Sequence, residues 1–201
     1  MKHTFLSGAF AALALLAAPL AAADDAEPQA PAEPVAEAAS APAGKVGAAL
    51  AAHGAYLSAA RPNTAARYYA YVCSASWCAP CRQGMPHLVE LYKEMKAGGI
   101  MEIVFVGYDG TEVEAKVFLS RYGAEFPATM RDDAEGLPGY ERQYGIPAAL
   151  IVDAEGNKVL HDHASVLMKW KQILRSYEQQ KGLQPSLPAE GQGSADAPAE
   201  K

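Results

Sequence analysis

Trp77-Cys78-Ala79-Pro80-Cys81 is the stretch on which the reading of this chain turns. Two thiols separated by two residues can close into a disulfide and reopen with little backbone movement, so the pair is a reversible two-electron switch. The spacing acquires chemistry when the first cysteine stands at a helix N-terminus, where unpaired backbone N–H groups and the helix dipole favour a thiolate. The residues that follow, Pro80 through Lys96, read as such a helix, and Pro80 suits its first turn, where a missing N–H costs nothing. On this reading Cys78 is the exposed nucleophile and Cys81, one turn deeper, the resolving thiol of ordinary thiol-disulfide exchange. Trp77 shields the pair on one side. A structural bridge this short would constrain little of the unfolded chain, and three cysteines cannot complete a four-cysteine zinc site.

Outward from the motif, helix and strand patterns alternate. A helix is expected at 46–60, strands at 67–74 and 101–108, an amphipathic helix at 112–122 and a short extended piece at 126–130. Beyond them come a short helix at 137–144, a strand at 148–153, a tight turn at 153–157 into a strand at 158–161, and a final helix from Ser165 to about Gln180. Alternation closed by a hairpin predicts an α/β domain, a central mixed β-sheet flanked by helices on both faces.

The ends read differently. Lys2 and His3 precede an apolar run from Phe5 to Leu20, and Ala21-Ala22-Ala23 supplies the small residues of a cleavage site, so 1–23 reads as a secretory signal. Left uncut, residues 5–23 are also long enough to tether the chain to a membrane, which takes about 20 apolar residues. Residues 24–44 are an Ala/Pro/Glu-rich linker expected to be disordered, 45–182 the folded domain, and 183–201 a disordered tail. Export places the thiols in an oxidising, extracytoplasmic or periplasmic compartment, where a dedicated partner must keep the pair poised. The formal charge of −6, or −7 without Lys2, and the lack of a basic stripe argue against nucleic acid.

Ser74-Ala75-Ser76-Trp77-Cys78-Ala79-Pro80-Cys81-Arg82, together with Tyr144-Gly145-Ile146-Pro147 before a strand, resembles the thioredoxin-fold oxidoreductases over roughly residues 67–180. The signal and linker look like exported TlpA/ResA-type reductases, and Val104-Phe105-Val106-Gly107-Tyr108-Asp109 is similar to the nucleoredoxin and tryparedoxin branch. The resemblance implies a thioredoxin fold and a cis Ile146–Pro147 peptide beside the sulfurs. It also implies a substrate groove formed by Trp77, Ala79, Pro80, Ile146 and Pro147, and no cofactor or metal. The partners it implies are disulfide-containing exported proteins and a membrane electron donor that re-reduces a monomeric protein. Two departures matter. Thioredoxin's buried aspartate is replaced by Val72, and the ResA-type glutamate by Gly84, so proton transfer needs water or another group.

Ala79-Pro80 provides no polar group to stabilise a thiolate, so the potential is expected nearer thioredoxin's roughly −270 mV than DsbA's roughly −120 mV, which makes the protein a reductant. A disulfide oxidase or isomerase is the alternative enzyme, and a copper- or haem-delivery module the alternative binder. Cys73 reads as a small apolar core residue, His161-Asp162-His163 as a solvated hairpin end, and His87 and Arg82 as surface residues.

Overall fold

The computed structural model describes residues 43–188; the expected signal, most of the linker and most of the tail lie outside them. The elements are α1 (Lys45–Ala52), β1 (Tyr68–Ser74), α2 (Ala79–Gly98), β2 (Met101–Gly107), α3 (Glu112–Arg121), β3 (Ala128–Met130), β4 (Ala148–Asp153) and β5 (Lys158–His163). A 3-10 segment, Ala164–Lys169, leads into α4 (Trp170–Lys181). The strands form one five-stranded sheet in the order β3-β2-β1-β4-β5. β1 pairs parallel with β2 and antiparallel with β4, β2 parallel with β3, and β4 antiparallel with β5.

Every residue of β1 and β2 is buried, which is why both read as continuous apolar runs. Alternation sorts them between two cores. Tyr68, Ala70, Val72, Ile103 and Phe105 face Met85, Leu91, Phe118, Trp170 and Leu174, so α2, α3 and α4 cover that side. Tyr69, Tyr71, Cys73, Val104 and Val106 face Val46, Leu50, Ala134 and Leu137 on the other, under α1 and the 131–140 loop. The three β1 tyrosines are buried because each hydroxyl finds an acceptor: Tyr68 on Glu178, Tyr69 on the Thr64 carbonyl and Tyr71 on the Pro138 carbonyl.

The structure corrects the expected elements at three places. The first helix stops at Ala52 rather than running to 60, because the next residues bond across to the β3 region: Leu57 N–H donates to the Ala128 carbonyl at 2.7 Å and Ser58 Oγ to the Phe126 carbonyl at 2.8 Å. No helix forms at 137–144. Gly136 and Gly139 take positive φ around Pro138, and the chain passes through successive turns, Leu137 N–H to Ala134 O and Tyr140 N–H to Leu137 O. The expected final helix is split: its first five residues, Ser165 to Lys169, belong to the 3-10 segment, and His163 Nδ1 accepts the Ser165 N–H.

The expected tail also begins too early at 183. Residues 183–188 pack on the domain: Leu187 is buried, Arg67 Nη2 donates to the Gln184 carbonyl, and the Ser186 N–H reaches the Glu178 carboxylate at 3.1 Å. Burial alone would raise the Glu178 carboxyl, but the bonds from Ser186 and Tyr68 and the charge of Arg67 outweigh it and hold it below the ordinary range. A lowered folded-state value stabilises above the unfolded value and loses that contribution as pH falls through the folded one. Glu178→Ala therefore strands the buried Tyr68 hydroxyl and the half-buried Ser186 N–H, and urea unfolding at neutral pH should show a loss of about 2–3 kcal/mol. That difference should close as the solution is acidified through the carboxylate range.

Candidate active site

Cys78 is the residue at which β1's extended path turns into α2. Its backbone is still extended (φ −79°, ψ 112°), and its Sγ accepts the Cys81 N–H at 3.2 Å, so a sulfur occupies the position usually held by a capping oxygen. Ala79 and Pro80 open the helix, Pro80 where its absent N–H is not missed. Cys78 and Cys81 are joined as a disulfide with Cα atoms 5.2 Å apart, and both are buried, at 6% and 3% exposure, so Cys78 is not exposed as expected but covered by the packing of Tyr108 and Ile146. The first sulfur sits on the positive end of a 20-residue helix, which favours a thiolate there when the bond is open.

The remaining sequence-predicted residues gather around this pair. Trp77, Ala79 and Pro80 are exposed and Ile146 and Pro147 half-buried. The Ile146–Pro147 peptide is cis, and the Ile146 carbonyl oxygen lies 3.7 Å from Cys78 Sγ. Ile146 and Tyr108 pack against the small cluster of Ala75, Cys78 and Cys81.

Behind the disulfide is a cavity of about 350 Å³ that Cys81 lines together with Pro80, Leu88, Pro147 and Leu167. Val72 and Gly84, the positions at which the resemblance would have placed acids, both line it, and its walls are otherwise mainly apolar. His87 and His163 are the two histidines on its rim.

Several contributors are not legible in the motif. Arg82, expected to be solvated, turns back so that Nη1 donates to the Ser76 carbonyl at 2.9 Å. Asp109 reaches Ser76 from β2's end, and Trp77 Nε1 donates to the Tyr108 carbonyl at 3.3 Å. The Tyr108 hydroxyl is 3.1 Å from that of Tyr140 and accepts the Gln143 N–H at 2.7 Å, which fixes the loop leading to Ile146. Apart from the Arg82 bond, these contacts join residues more than thirty positions apart, so only a co-varying pair in an alignment could have signalled them. Cys73 lies in the core as a free thiol; burial pushes it up to about 12 despite opposing bonds to Tyr108 and Tyr140, so it stays protonated at neutral pH.

A thiol pair capping a helix at the edge of a β1-α2-β2 unit, with a cis-proline loop packed on the first sulfur, is a redox-capable arrangement, and residues 66–159 match the thioredoxin-like protein family. This domain is thioredoxin-like. Its sequence is 32% identical over 84 residues to thiol-disulfide oxidoreductase ResA of Bacillus anthracis, a match covering 42% of this chain and 47% of that protein. It is 45% identical over 53 residues to ResA of Oceanobacillus iheyensis, covering 26% and 27%. The chain thus spans about half the length of the first of these curated relatives. Thioredoxin from Wuchereria bancrofti is a similar solved structure, at TM-score 0.45 and 27% identity, covering 57% of this chain and 82% of that one. The thioredoxin-like match takes in β1 through the start of β5 and so includes the Cys78–Cys81 disulfide.

Proposed function

We propose that the protein is an extracytoplasmic thiol-disulfide oxidoreductase that reduces disulfides of exported proteins. The observation that carries the reading is the Cys78–Cys81 disulfide with Cys78 Sγ capping α2, because the helix end stabilises the thiolate needed to attack. Cys78 attacks one sulfur of a partner disulfide, expelling the partner's other sulfur as a thiolate and forming a mixed disulfide. Cys81 then attacks Cys78, the partner leaves as a dithiol, and the two electrons remain on it while Cys78–Cys81 closes. The cis-proline loop and the exposed Trp77, Ala79 and Pro80 form the groove in which the partner chain lies. The apolar run at 5–23 exports or tethers the protein, and a membrane donor returns two electrons per cycle.

Two measurements test the reading: insulin reduction with dithiothreitol as donor, and the equilibrium of the pair with glutathione. A functioning reductant turns over insulin and has a potential near thioredoxin's roughly −270 mV, whereas a value above about −150 mV overturns the direction. No turnover of any dithiol couple overturns the function.

A further inference from the structure

Asp109, the second residue beyond β2, is only 7% exposed, and nothing in the exchange chemistry above uses it. Its Oδ1 accepts two bonds from one residue, the Ser76 N–H at 2.9 Å and the Ser76 hydroxyl at 2.5 Å. Its Oδ2 is buried without a hydrogen-bond partner among the described residues. Ser76 precedes Cys78 by two residues and is gripped from the other side by Arg82. Asp109 and Arg82 are the charged side chains hydrogen-bonded to segment 74–78 among the described residues.

We infer that Asp109 is a positioning residue whose charge also acts on the thiols. It latches the Ser76–Cys78 loop and, through its buried negative charge, holds the dithiol form less stable, making the protein a stronger reductant. This rests on the proposed exchange at Cys78.

A latch alone does not require a charge. A neutral asparagine would offer Ser76 the same acceptor oxygen, yet the chain buries a carboxylate with one oxygen unsatisfied, which is costly wherever it serves no purpose. Charge matters here because the two redox states differ in it. The disulfide is neutral, whereas the open pair carries a thiolate at Cys78 that the α2 terminus favours and that a buried anion held on Ser76, two residues before it, opposes. Opposing the thiolate disfavours the reduced protein, lowering its potential. Ala79-Pro80 sets the same direction by offering the thiolate no polar group, and Arg82 pulls the other way, with its Nη1 engaged on a carbonyl.

The test is the equilibrium of the purified full chain with glutathione, in which the Cys78–Cys81 disulfide and two glutathione thiols exchange with the dithiol and one glutathione disulfide. For Asp109→Asn the constant should move about tenfold toward the dithiol, equivalent to about 30 mV. Alkylation of Cys78 in the same variant should extend to lower pH. Ser76→Ala keeps the charge and loosens the latch, so its constant should stay within twofold while its attack on dithiobisnitrobenzoate slows several-fold. Asp109→Ser provides a second charge-free variant if Asp109→Asn does not fold. The inference is overturned if the charge-free variant leaves the constant within twofold, or if Ser76→Ala reproduces its shift. Because the constant needs no substrate protein, a wild-type value in the oxidant range sinks the reductant reading and leaves the Asp109 comparison standing.

Discussion

Cys78→Ser should abolish insulin reduction entirely, and Cys81→Ser should stop it after one step, with a partner chain held on Cys78. The asymmetry follows from the caps. Cys78 Sγ is the sulfur on the α2 terminus, where the helix end favours its ionised form, while Cys81 is bound into the first turn and faces the apolar cavity. A hydroxyl at 78 is not an attacking group at neutral pH, so no mixed disulfide forms. A hydroxyl at 81 leaves attack intact and removes the thiol that would resolve the product. Non-reducing gels and mass spectrometry read the difference: a one-to-one adduct released by dithiothreitol for Cys81→Ser and none for Cys78→Ser. Equal adducts from both variants would show that the two sulfurs do not differ in role. Cys73 is the internal control, because it is buried and its thiol is pushed up to about 12.

The second large effect concerns folding. Gly47→Ala should lower stability by about 1–3 kcal/mol or more, as overpacking of a closed contact does. Gly47 lies on the buried face of α1, and a methyl group there would stand 1.9 Å from the Thr64 carbonyl oxygen and 2.8 Å from the Tyr69 hydroxyl. The obstacle is backbone, and the Tyr69 hydroxyl already donates to that same carbonyl at 2.9 Å, so either α1 lifts off the sheet or the Thr64 segment shifts and that bond is lost. Thermal unfolding should show the loss as a midpoint lower by several degrees. The glutathione equilibrium constant should not change, since α1 covers the sheet face opposite α2. A Gly47→Ala protein as stable as the parent would mean that α1 docks less closely than described.

How far the sequence can be read depends on the range of the interactions that decide each segment. β1, β2 and β4 are legible because they are buried on both faces, so Tyr68–Ser74, Met101–Gly107 and Ala148–Asp153 carry the apolar runs that two-sided burial demands. Helices α2 and α3 are legible because their starts are local chemistry, Pro80 after Cys78 in one and Thr111 with Glu114, a capping box, in the other. Segments 53–60 and 137–144 read as helix and are not. Their composition permits one, but distant partners settle them, Ala128 and Phe126 for the first and the Tyr71 hydroxyl for the second. The site divides in the same way. The thiol pair is a four-residue pattern visible in the bare sequence, whereas Asp109 on Ser76 and Tyr140 beside Tyr108 are contacts across more than thirty residues with no periodicity to betray them. The packed 183–188 segment escapes a sequence reading because Pro, Ser and Gln composition says tail, and its partners Glu178, Arg67 and Arg175 are supplied by the fold.

The chain has two tryptophans, and the fold sends them to opposite fates. Trp77 adjoins Cys78 and is 64% exposed, while Trp170, at the start of α4, is 3% exposed in the core. Fluorescence therefore separates two signals without any added dye. Long-wavelength emission from the surface indole, quenched by the adjacent sulfur bridge, should brighten when that bridge is opened. Short-wavelength emission from the interior indole should hold steady until the domain melts. Replacing either ring with phenylalanine would assign each band, giving a single cuvette two independent clocks, one for electron transfer and one for unfolding.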